Sequence, residues 1–121
     1  MAFALVIDDS QQNADSLCQM LGFLGLTARP AYGPRAAMLE LSSSTPDIVF
    51  LDISMPGVDG FEVLAYLRRI PELASLPVVM VTSDAQPETR QRAVRGGAVD
   101  LIIKPTTFEA LEIVLKKTGV I

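Results

Sequence analysis

The sequence predicts an α/β protein, a three-layer αβα sandwich built on a parallel five-stranded sheet. Short apolar runs without polar alternation, as in strands covered on both faces, alternate with longer segments of helical period. The alternation reads βα five times over, the pattern of helices layered on both sides of a sheet. The 121 residues amount to one domain, read as 1–121, able to bury about two-thirds of the surface an extended chain exposes. Neither a disulfide nor a metal is needed to hold it.

Phe3-Ala4-Leu5-Val6-Ile7 is the first run, and Leu17, Leu21 and Leu24, with Cys18 alongside, form the apolar stripe of the helix after it. Thr27-Ala28-Arg29-Pro30-Ala31 carries Arg and Pro in a short span, which puts it at a sheet edge. Pro34 suits a first helical position, and Ala37 and Leu41 continue that helix up to the Ser42–Pro46 loop. Ile48-Val49-Phe50-Leu51 is the third run, backed by a helix through Phe61, Leu64 and Leu67. Val78-Val79-Met80-Val81 is the fourth. In the segment after Pro87, Arg90, Arg92 and Arg95 outnumber apolar side chains until Gly96-Gly97 stops it, so that helix is predicted to be exposed and comparatively mobile. Leu101-Ile102-Ile103 is the fifth run. Thr106-Thr107-Phe108-Glu109 reads as a capping box opening a last helix with Phe108, Leu111 and Leu115 on one face.

Half the residues are hydrophobic and 20% are charged, which excludes a disordered chain. A formal charge of −4 has the wrong sign for gripping nucleic acid through its phosphates. With no histidine and one cysteine, thiol–imidazole catalysis, Ser-His-Asp catalysis and nearly all zinc sites drop out. Cys18, on an apolar stripe, reads as a small core residue. No apolar run approaches the ~20 residues of a membrane span, and the N-terminus lacks the basic start of a signal peptide. These features predict a soluble cytoplasmic domain with no membrane partner.

The informative polar residues stand where apolar runs end: Asp8-Asp9, Asp52, Thr82-Ser83 and Lys104-Pro105. In a parallel sheet all strand C-termini share one rim, and open α/β sheets bind ligands on that rim where the winding reverses. With strand order 2-1-3-4-5 the reversal lies between strands 1 and 3, which gathers Asp8, Asp9 and Asp52. Three carboxylates in one crevice repel each other, and a divalent cation removes the conflict. Hard oxygen ligands without His or Cys select Mg²⁺. Lys104 adds a fixed positive charge and Thr82 a hydroxyl. A carboxylate beside Mg²⁺ and an ammonium group is equipped to act as a nucleophile toward phosphorus.

These residues resemble the receiver domain of two-component response regulators, a bacterial signalling family, over essentially the whole chain. Val6-Ile7-Asp8-Asp9-Ser10 is similar to its acidic metal-binding start, and Asp47-Ile48-Val49-Phe50-Leu51-Asp52-Ile53-Ser54-Met55-Pro56-Gly57-Val58-Asp59-Gly60 to its phosphoacceptor strand and loop. Val81-Thr82-Ser83 and Ile103-Lys104-Pro105 match its switch hydroxyl and its lysine. The resemblance implies a flavodoxin-like (βα)5 fold like that of the single-domain chemotaxis regulators. It implies that Asp52 takes a phosphoryl group from a phosphohistidine on a histidine kinase or histidine phosphotransfer protein, and that the domain then signals to a downstream protein. Asp9, helped by Asp8, would hold Mg²⁺ together with Asp52 and the backbone carbonyl of Ser54. Lys104 would pair with Asp52 and then with the phosphoryl group, Thr82 would move toward that group, and the Lys104–Pro105 bond would be cis. Ser54 and Asp84 would flank the attacking water in dephosphorylation. Leu101 stands where the family usually has an aromatic residue that swings inward, and a leucine cannot make that swing.

On this reading the chain is a signalling module that catalyses its own phosphorylation and dephosphorylation, rather than a conventional enzyme. Three rivals stand beside it. An aspartyl-phosphate phosphohydrolase of the haloacid dehalogenase type would need Asp-x-Asp, where this chain has Asp52-Ile53-Ser54. An FMN carrier on the same topology would need a glycine- and hydroxyl-rich loop where Asp8-Asp9 stand. A receiver-like interaction module that no longer turns over phosphate is the reading Leu101 supports.

Overall fold

In a computed structural model, which describes residues 2–121, the four short apolar runs and the Thr27–Ala31 segment all become strands. They are β1 (Phe3–Ile7), β2 (Thr27–Ala31), β3 (Ile48–Asp52), β4 (Val78–Thr82) and β5 (Asp100–Ile103). All pair in parallel in the order β2-β1-β3-β4-β5. Every residue of β3 and β4 is buried, because helices cover both faces. β2 is an edge strand, and Pro30, which has no N–H to donate, is tolerated there.

Five helices follow the strands: α1 (Gln11–Phe23), α2 (Pro34–Ser43), α3 (Gly60–Arg69), α4 (Pro87–Arg95) and α5 (Phe108–Lys117). Side chains alternate across the sheet, so each strand feeds two cores. Leu5, Ile7, Val49, Leu51, Val78, Met80 and Leu101 pack against α2, α3 and Ala93 of α4. Ala4, Val6, Phe50, Val79, Val81 and Ile102 pack against α1 and α5. The buried stripe of α1 is Ala14, Leu17 and Leu21, since Leu24 falls beyond the last helical residue as its C-cap.

Two expectations for α5 need correction. Its N-cap is Thr107, whose hydroxyl accepts from the Ala110 N–H at 3.1 Å, so the Thr106–Glu109 capping box does not form. Phe108, the first helical residue, does not join the buried face. It is 42% exposed and meets the exposed ring of Phe23 edge-on, while Leu111, Val114 and Leu115 fill the core. The structure also contains a two-stranded antiparallel ribbon, Ser54–Met55 with Val58–Asp59, between β3 and α3.

Candidate functional site

Backbone pairing carries each polar residue to the rim. Asp52 is the last residue of β3, opposite Val81, and Thr82 ends β4 opposite Ile103. The ladder runs one step further on either side: the Asp8 N–H donates to the Ala31 carbonyl at 3.1 Å and the Lys104 N–H to the Thr82 carbonyl at 2.7 Å. Sheet registry therefore fixes the spacing of the site, and side-chain rotamers only refine it.

At that rim Asp8, Asp9 and Asp52 each bring a carboxylate oxygen within 4.8 Å of the others. Asp8 and Asp52 are 5% exposed and Thr82 is 3% exposed, whereas Asp9 faces solvent. Lys104 Nζ lies 3.4 Å from Asp52 Oδ1 and 3.9 Å from Asp8 Oδ2. The Lys104–Pro105 bond is cis. One ammonium among three carboxylates leaves the cluster net negative. The Asp8 carboxyl is held above its ordinary value. Burial is the main cause; Asp52 and Asp9 add to it, while the Ser10 N–H (2.9 Å) and Lys104 pull the other way. A crowded, all-oxygen, under-neutralised set of this kind fits a small hard dication.

Asp59 caps α3 by accepting the Phe61 N–H at 2.8 Å, and Gly60 lets the helix start close against the end of β3. A Cβ on Gly60 would stand 2.5 Å from the Asp52 carbonyl oxygen and 2.7 Å from Ile53 Cα. The pair closes the Asp47–Gly60 motif, and Asp-Gly just before the Phe61 helix is a capping signal. Ser54, two residues past Asp52, opens the ribbon and is exposed. A cavity of about 290 Å³ adjoins the site, and Asp8, Asp52, Lys104, Leu17, Phe50 and Val81 are among the residues that line it.

Asp84 stands two residues past Thr82. Its carboxylate accepts from the Thr89 hydroxyl at 2.6 Å and the Gln86 N–H at 2.9 Å, which together lower its pKa, and it is thereby tied to the start of α4. Its own N–H donates to Thr82 Oγ1 at 3.1 Å. Leu101 is buried, 4% exposed, in the core under α2, α3 and α4.

A doubly wound parallel sheet with carboxylates, a hydroxyl and a lysine gathered at its switch point defines a phosphoryl-handling signalling class. The family model of the response regulator receiver domain matches residues 4–116, and the chain belongs to that family. It is 36% identical over 108 residues to the sensor histidine kinase RcsC of Salmonella typhi, a match that covers 89% of this chain and 11% of the kinase. Among solved structures it is similar to the chemotaxis protein CheY4 of Vibrio cholerae, with a TM-score of 0.90, 27% identity and 98% of both chains covered. It is also similar to the receiver domain of NtrX from Brucella abortus, with a TM-score of 0.86 and 32% identity, covering 95% of this chain and 96% of that one. The chain is thus a receiver with the flavodoxin-like fold of phosphoacceptor signalling domains. Receiver domains generally bind Mg²⁺ at an acidic pocket, and histidine kinases phosphorylate them. Among the described residues no helix is long and apolar enough to cross a membrane.

Proposed function

We propose that residues 1–121 form a single receiver domain in which Asp52 accepts a phosphoryl group from a phosphohistidine of a histidine kinase or histidine phosphotransfer protein. The observation that carries this reading is the 3.4 Å approach of Lys104 Nζ to the buried Asp52 carboxylate inside the three-aspartate cluster. An Asp52 carboxylate oxygen bonds to phosphorus as the P–N bond of the donor breaks, and the bonding pair leaves on the imidazole nitrogen. Asp8, Asp9, Asp52 and the backbone carbonyl of Ser54 would hold Mg²⁺, which when bound supplies positive charge to the oxygens of the transferring group.

Lys104 neutralises part of the acceptor's charge before transfer and pairs with the phosphoryl oxygens after it. Thr82 Oγ1 already accepts from the Asp84 N–H, so its own proton is left to donate to a phosphoryl oxygen. Reversal is hydrolysis: water adds to phosphorus, the P–O bond to Asp52 breaks, and the carboxylate is restored with release of inorganic phosphate. A lone cysteine with no partner for a disulfide, and a donor charged from ATP, fit the cytoplasm.

Intact mass after incubation with acetyl phosphate and Mg²⁺ tests the reading. One added phosphoryl group is expected, absent from Asp52→Ala and absent once Mg²⁺ is chelated. Uptake by the Asp52→Ala variant would place the acceptor elsewhere. No uptake by the wild-type chain would favour the interaction-module reading.

A further inference from the structure

The helix beside the Thr82 loop is held mainly by polar contacts. Ala93 is the one buried residue of α4, where α5 buries Leu111, Val114 and Leu115. At its N-terminal end the Thr89 hydroxyl donates to Asp84 Oδ2 at 2.6 Å, and the Asp84 N–H reaches Thr82 Oγ1. One residue on, Arg90 donates to Asp100 Oδ1 at 3.0 Å and to the Leu101 carbonyl at 3.3 Å. Asp100 also receives Lys117 Nζ of α5 at 3.4 Å. Polar contacts and a single chain step therefore lead from the Thr82 hydroxyl, through α4 and β5, to α5.

We propose that Asp84, Thr89, Arg90 and Asp100 form the connection by which Thr82 moves the α4–β5–α5 surface, in place of a swinging ring at position 101. This rests on the reading of Asp52 as the phosphoacceptor. Both Asp84 carboxylate oxygens are committed, one to the loop at Gln86 and one to Thr89. Any displacement of residue 82 toward a phosphoryl group therefore pulls Asp84 by its N–H and Thr89 by its hydroxyl. Arg90 follows in the chain, and its guanidinium holds β5 at two points. The weak apolar anchorage of α4 lets the helix shift without opening the core. Leu101, apolar and buried, enters only through its backbone, its carbonyl accepting from Arg90 and its N–H donating to Asp100 Oδ1 at 2.8 Å. Thr89 and Arg90 are positioning residues and touch no reacting atom.

The test is hydrogen exchange read by mass spectrometry on the full chain with Mg²⁺, with and without acetyl phosphate, alongside intact mass. In the wild type, phosphorylation should change exchange in α4, β5 and α5. Thr89→Val removes the donor at nearly constant shape; it should still take up the phosphoryl group, while the change at β5 and α5 shrinks by roughly threefold or more. Thr89→Ser should restore the change. Arg90→Gln should leave the response of residues 82–89 intact and lose it at β5 and α5. Full responses at β5 and α5 in both Thr89→Val and Arg90→Gln, with uptake normal, would overturn the connection alone. A wild-type chain that takes up no phosphoryl group would overturn the Asp52 reading, and the connection with it.

Discussion

Asp8 illustrates how a single side chain sets the electrostatic character of the site. Burial, with Asp52 and Asp9 nearby, holds its folded-state pKa above the ordinary value of 3.8. Below that value both folded and unfolded chains carry the proton, and Asp8 costs nothing. As pH rises through the raised value the folded chain binds more protons than the unfolded one, so stability falls. Without Mg²⁺, Asp8→Asn should therefore melt above wild type near pH 7, and the two should converge at about pH 3, measured by thermal unfolding across pH. Cys18 offers a second test. Its thiol is pushed up to about 11 by burial and then by the Asp15 charge. Iodoacetamide at about pH 8 should label the native chain roughly a hundredfold more slowly than the urea-unfolded one, followed by intact mass. The residues of the acidic site were readable because each closes an apolar run. The direction of Asp84 was not, because it depends on the hydroxyl of Thr89, five residues further on.

The junction of β3 with α3 is where one element most directly positions another. Any side chain at residue 60 runs into the Asp52 carbonyl and Ile53 Cα, both backbone and unable to swing aside. Gly60→Ala should cost about 1–3 kcal/mol in urea unfolding and, by shifting Asp52, lower the rate of phosphoryl uptake. Sequence pattern predicted long elements well. The runs ending at Asp8, Asp52, Thr82 and Lys104 became strands, and Pro30 marked the edge. Short elements gave no such signal. The ribbon of Ser54–Met55 with Val58–Asp59 has two residues a side, too few for any period, and Pro71–Leu73 forms a single 3-10 turn. The start of α5 failed for a related reason: two adjacent threonines both suit an N-cap, and only packing picks Thr107. The arginines of α4 are exposed, as the predicted exposure of that helix requires. What the pattern could not reveal is that Arg90 reaches Asp100 and Arg92 lies 4.1 Å over the Phe61 ring, because those partners belong to other elements.

For the domain taken entire, Mg²⁺ and folding are linked. A cation that binds the assembled cluster and not the unfolded chain stabilises by mass action, about 2.7 kcal/mol at a hundredfold excess over Kd. Melting temperature should rise with Mg²⁺, fall back on chelation, and respond far less in Asp52→Asn; an equal rise in that variant would put the cation elsewhere. The sheet also governs when such chemistry is available at all. Asp8 leaves the first strand and Lys104 the last, so the two meet only after every parallel pairing between them has formed. Until β5 has paired with β4, the Asp52 carboxylate has no lysine beside it.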